Sequence, residues 1–192
     1  MTGPSAAHAR LREATADDHA RVDASFADGL RDAPTYQRYV RGMHALLNCL
    51  ENSDTALAAT YATPLALLAD DLSALGLNAP TPPPPLTFTD NLARLGAGYV
   101  IEGSALGARL LLRQAQSLGH SSTQGATFLA YHVDRGYTHW PRLMQALAPL
   151  DPTSPEFQTV LHAAQQTFAL AATCFDPMGL PAKDPNEGQN PD

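Results

Sequence analysis

A chain of 192 residues with 44% hydrophobic and only 16% charged side chains holds enough apolar material for one packed domain, which excludes a chain disordered throughout. Its 19 acidic residues outweigh 12 Lys and Arg, and the formal net charge of −7 argues against a surface built to neutralise nucleic-acid phosphates. Cys49 and Cys174 lie far apart with no CxxC spacing, so the stability does not rest on a disulfide framework, and both read as reduced core thiols. The first residues lack the apolar stretch of a secretory signal and no run approaches the length of a membrane span, so the expectation is a cytoplasmic protein.

In chain order, residues 1–8 read as a flexible N-terminus. Arg10 to Phe26 forms a first amphipathic helix on a stripe of Leu11, Thr15, Val22 and Phe26 that includes His19. Asp32 and Pro34 start a second helix through Tyr36, Tyr39, Val40, Met43, Leu46, Leu47 and Leu50, which stops near Asn52 and Ser53. A third stretch from Asp54 to Leu75 should break or kink at Pro64 and end at Gly76. Residues 79–85 hold five prolines and read as an extended connector within one domain. Thr89 or Asp90 then caps a long helix that reaches Leu118 and stops at Gly119. Gly96, Gly98, Gly103 and Gly107 interrupt this helix, each at a cost of about 1 kcal/mol relative to alanine, so a compensating contact is expected. Ser121 or Ser122 begins a helix through Phe128, Tyr131, Trp140, Leu143 and Leu147, bending at Trp140-Pro141. A last helix runs from Ser154 to Cys174, and 176–192 reads as a disordered tail, leaving 9–175 as the helical domain.

Three groups of residues carry chemistry in this reading. His19 lies on the apolar stripe with Asp23 one turn later, where a carboxylate can hold one ring nitrogen and strengthen the other as a metal donor. Arg12, two turns before His19, is placed to meet an acidic edge of a flat ligand. On spacing alone, a core histidine beside solvated charges is the better-supported reading. Gly103 and Gly107, one turn apart, either let backbone approach a planar ligand or pack helices closely. His132 and His139 share a face but lack a third ligand. Paired Glu-x-x-His motifs, a GxSxG elbow and a P-loop are all missing from the sequence.

The stretch Leu11-Arg12-Glu13-Ala14-Thr15-Ala16-Asp17-Asp18-His19 resembles the opening helix of haem oxygenases, with a basic residue, Glu-Ala-Thr and a proximal histidine at this spacing. Tyr99-Val100-Ile101-Glu102-Gly103-Ser104-Ala105-Leu106-Gly107 is similar to the distal helix of the bacterial, biliverdin-producing, bacteriophytochrome-associated branch. Weaker similarity covers Thr35 to Glu51, Phe128 to Leu147 around Trp140, and Val160 to Phe168. The resemblance implies an all-α, compact helical bundle with haem between the first, proximal helix and the glycine-bearing distal helix. It implies His19 as axial ligand of the haem iron, with Arg12, Thr15, Asp23, Gly103 and Gly107 at the haem and Gly103, Ser104 and Gly107 at the reacting side. Haem would be both cofactor and substrate, converted with dioxygen and electrons from an external reductase or ferredoxin to biliverdin, iron and carbon monoxide, with a phytochrome as an acceptor of the product.

Two departures stand out. Ser104 takes the place of the aspartate that animal-type relatives carry, and Thr159 takes that of a propionate-binding arginine, in a helix without Lys or Arg. They keep open a haem or tetrapyrrole carrier of the same fold. A helical enzyme of the thiaminase-like superfamily is the other alternative, and it would need a nucleophilic cysteine.

Overall fold

The computed structural model describes residues 4–135 and 138–176, and the tail expected over 176–192 lies outside them but for Asp176. All regular structure among these residues is helical: α1 Ala6–Ala14, α2 Ala16–Ala24, α3 Ala33–Ser53, α4 Thr55–Ala74, α5 Asn91–Ser104, a 3₁₀ turn Ala105–Gly107, α6 Ala108–Ser117, α7 Thr127–Arg135, α8 His139–Leu147 and α9 Pro155–Cys174. None of these helices is long and apolar enough to cross a membrane.

Local chemistry explains most of the boundaries. Asp32, Asp54, Asp90 and Ser154 accept hydrogen bonds from the first free amides of α3, α4, α5 and α9, respectively. Gly76 and Gly119 end α4 and α6 at φ +66° and +93°, where a side chain would be strained.

Four expectations need correction. The N-terminal segment expected to be flexible is already helical at Ala6, because the Ser5 hydroxyl caps the His8 amide and Ala7 and Leu11 are buried. The first helix is two helices, broken at Thr15, whose hydroxyl bonds back to Leu11 O at 2.9 Å and bends the chain. Pro64 does not break α4, since Leu57, Tyr61, Leu65, Leu68 and Leu72 bury the helix against α3 on both sides of it. The helix expected from Ser121 starts at Thr127 instead, and α8 begins at His139. Pro141 therefore falls in the first turn of α8, where no amide donor is missed, and it causes no bend.

α5 and α9 form the spine. Gly96 makes their contact possible, because a Cβ there would strike the Val160 carbonyl and approach Ala163 Cβ at 2.9 Å. Around them lie two apolar clusters, one shared by α3, α4, α6, α7 and the end of α9, the other by α1, α5, α8 and the start of α9. Burying each Leu, Phe or Val of these clusters stabilises the fold by about 1.5–3 kcal/mol. α7 is pinned by a buried carboxylate from α4: Asp71 accepts from Thr127 N, Thr127 Oγ1 and Phe128 N at 2.8, 2.8 and 3.0 Å.

Candidate functional site

α1 meets α5 through aromatic contacts. The His8 ring lies edge-on to Tyr99 and Trp140 at 6.2 and 5.8 Å, and those two rings are 5.7 Å apart. The Thr15 hydroxyl lies against Tyr99; burial raises the Tyr99 pKa, opposed by Thr15 and by the nearby Arg12 guanidinium. One turn beyond this contact stand His19 on α2 and Gly103 on α5.

His19 Nδ1 is 2.9 Å from Asp23 Oδ2. With its Nδ1 proton held by the carboxylate, the ring keeps the Nε2 lone pair for a metal. The expected burial of His19 is not found: its side chain is 64% exposed, with only the Phe168 ring edge-on at 5.8 Å. The cause is the Thr15 bend, after which α2 leaves the core and buries none of its residues.

The four glycines divide into two kinds. Gly96 and Gly98 serve packing, the first on α9 and the second with Leu143 Cδ1 3.2 Å from an added Cβ. An added Cβ at Gly103 would meet only the Trp140 ring, at 3.5 Å, and one at Gly107 would meet nothing within 4 Å. Close helix packing therefore accounts for neither. Between them the helix tightens into the 3₁₀ turn, and Leu106 and Leu110 stand exposed on the same stretch. This wall offers backbone and apolar surface, which suits a flat hydrophobic ligand.

The remaining expected residues are placed as follows. Arg12 is exposed on α1 beside Tyr99. Ser104 turns its hydroxyl onto its own helix, donating to Ile101 O at 2.7 Å. Thr159 is exposed and bonds back to Pro155 O. His132 is buried against the Phe128 and Tyr131 rings, and His139 Nδ1 lies 3.6 Å from Glu102. Among the described residues no group of three or more His, Cys, Asp or Glu could hold a metal ion. Both cysteines are free and buried, and burial pushes the Cys174 thiol up to about 12 and raises Cys49, so neither is an activated nucleophile.

The sequence reading missed the ion pair behind the glycine wall. Glu102 Oε2 accepts from Arg135 Nη2 at 2.8 Å, with the side chains only 8% and 14% exposed. The sequence did carry a signal: Glu102 is the single charged residue between Arg94 and Arg109.

No family profile matches the chain. A curated protein of Xanthomonas campestris pv. campestris (strain 8004) named "Heme oxygenase" is 28% identical over 160 residues, covering 79% of this chain and 94% of its own length. The crystal structure of the NO- and CO-bound heme oxygenase from Neisseria meningitidis superimposes with a TM-score of 0.70 at 25% identity, over 95% of this chain and 97% of that one. The similarity in sequence and the all-helical fold agree across most of the chain, which is thus similar in both to haem oxygenases.

Proposed function

We propose that the protein binds haem between α2 and the α5–α6 stretch and cleaves it to biliverdin, iron and carbon monoxide with dioxygen and external electrons. The observation that carries this reading is the pair of glycines, Gly103 and Gly107, of which the first faces the Trp140 ring without crowding and the second faces open space, one turn and two turns beyond the α1–α5 contact. The donor set fits the group: a single imidazole with a carboxylate behind it, and no thiolate to favour O–O cleavage instead. Haem, when bound, supplies the redox-active iron and the ring that is opened.

His19 Nε2 would hold the haem iron, with Asp23 orienting the ring and raising its basicity. Arg12 and the Tyr99 hydroxyl beside it meet the carboxylates of the ligand, a role that α9 cannot share because it contains no Lys or Arg. Gly103 and Gly107 admit the ring face, while Leu106, Leu110 and Trp140 keep water from it. The bacteriophytochrome-associated branch, an external reductase or ferredoxin as donor, and a phytochrome as recipient of the product belong to the same proposal. They rest on the similarity of 99–107 to that branch.

The carrier reading draws on Ser104, whose hydroxyl proton is spent on Ile101 O. An absorption time course of the haem-loaded protein with reductant in air decides between the two. The Soret band should give way to a broad red biliverdin band; a Soret band that persists identifies a carrier.

A further inference from the structure

Immediately before Gly103, the distal helix sinks its only nearby charge into the protein. Glu102 is 7% exposed and holds both Arg135, at the end of α7, and His139, at the start of α8, with N–O distances of 2.8 and 3.6 Å. Arg135 also stacks over the Tyr131 ring at 5.5 Å and donates to its hydroxyl at 3.4 Å, while its Nε is buried with no partner. The residue after His139 is Trp140, whose ring is what an added Cβ at Gly103 would meet among the described residues. One carboxylate thus ties together the distal helix, the end of α7 and the aromatic wall. A buried pair of this kind is a poor source of stability, because replacing both partners by apolar groups is often neutral or stabilising. What such a pair does supply is a fixed position, since its charges have one favourable arrangement.

We propose that Glu102 is a positioning residue for haem cleavage: by clamping Arg135 and His139 it fixes the height of Gly103 and of the Trp140 ring over the ligand face. The inference rests on the haem-cleaving reading, but one arm of its test does not. The double variant Glu102→Met with Arg135→Leu removes both charges and leaves neither buried alone, so its haem-free melting temperature should stay within a few degrees of wild type. In that variant, amide hydrogen exchange over 98–107 of the haem-free protein should quicken, and the C–O stretch of the ferrous carbonyl complex should shift and broaden. Single-turnover conversion should fall roughly tenfold to a hundredfold, the scale of a misplaced reacting geometry. Unchanged exchange and an unchanged C–O stretch in the folded double variant would overturn the proposal. If the double variant does not fold, Glu102→Asp keeps the charge and withdraws the carboxylate by one methylene, and the same two readings apply. Failure of the wild type to bind haem would strike the haem-cleaving reading and with it the role in cleavage, while the clamp on Gly103 and Trp140 would still be judged by the exchange arm, which is read without ligand.

Discussion

An imidazole that keeps one nitrogen for a carboxylate and the other for a ligand is only as good as its orientation. His19→Ala should therefore abolish the normal ferric axial ligation in the electron paramagnetic resonance and absorption spectra. Asp23→Ala should retain haem, shift the ligand field and slow turnover. Wild-type spectra in His19→Ala would remove the residue from the site. The glycines allow a sharper contrast. Gly107→Leu places its Cβ where nothing among the described residues lies within 4 Å, at a backbone conformation (φ −82°, ψ −10°) open to any residue. The haem-free protein should melt as wild type does while biliverdin formation is suppressed. Gly96→Ala should do the reverse, lowering the melting temperature in the haem-free protein through contact with the Val160 carbonyl, at a cost of about 1–3 kcal/mol. Equal destabilisation of the two would show that both glycines serve packing. From sequence the two kinds of glycine look alike. Their difference lies in what faces them, Val160 and Ala163 at Gly96 and Leu143 at Gly98 against a Trp140 ring at ordinary contact distance from Gly103 and open space at Gly107, which spacing does not encode.

At the scale of elements, capping side chains were legible and interruptions were not. Asp32, Asp90 and Ser154 announce their helices because an Asp or Ser oxygen satisfies amides that the helix leaves free. Pro64 and Thr15 mislead in opposite directions. Burial against α3 overrides the proline, whereas a hydroxyl returning to Leu11 O accompanies the break in a helix whose second half packs only half-buried against the core through Val22. The start of α7 was illegible because its cap comes from α4, 56 residues away. Asp71→Ala would strand the Thr127 and Phe128 amides in the interior, so we expect a loss of about 2–5 kcal/mol. For a chain of this size that is a fall of roughly 5–15 °C in melting temperature. A change under 2 °C by calorimetry would mean that α7 does not depend on this carboxylate.

The whole molecule should weaken in mild acid. Burial, reinforced by the Arg135 and His139 charges, holds His132 down to about 4, and His8 and His44 are lowered in the same direction by burial. In the unfolded chain a histidine takes up its proton near 6.5. Between these values the unfolded state binds more protons, so stability is complete above 6.5, declines as the pH falls toward 4 and then levels off. For His132 alone the decline amounts to about 3 kcal/mol. Urea unfolding at several pH values should show this slope in the wild type, reduced by about one proton in His132→Gln. An unaltered slope would assign the acid sensitivity to other groups.

Both walls of the proposed site rest on the same support. Gly96 of α5 leans on Val160 and Ala163 of α9, and His19 of α2 leans on Phe168, one or two turns further along the same helix. In that site α9 would work as a spacer bar that sets the distance between α2 and α5. In the proposed site the separation of the two walls would then depend on α9 residues that lie behind them. A single methyl group added at Ala163 would travel through α5 and be registered as a change in clearance at the glycines.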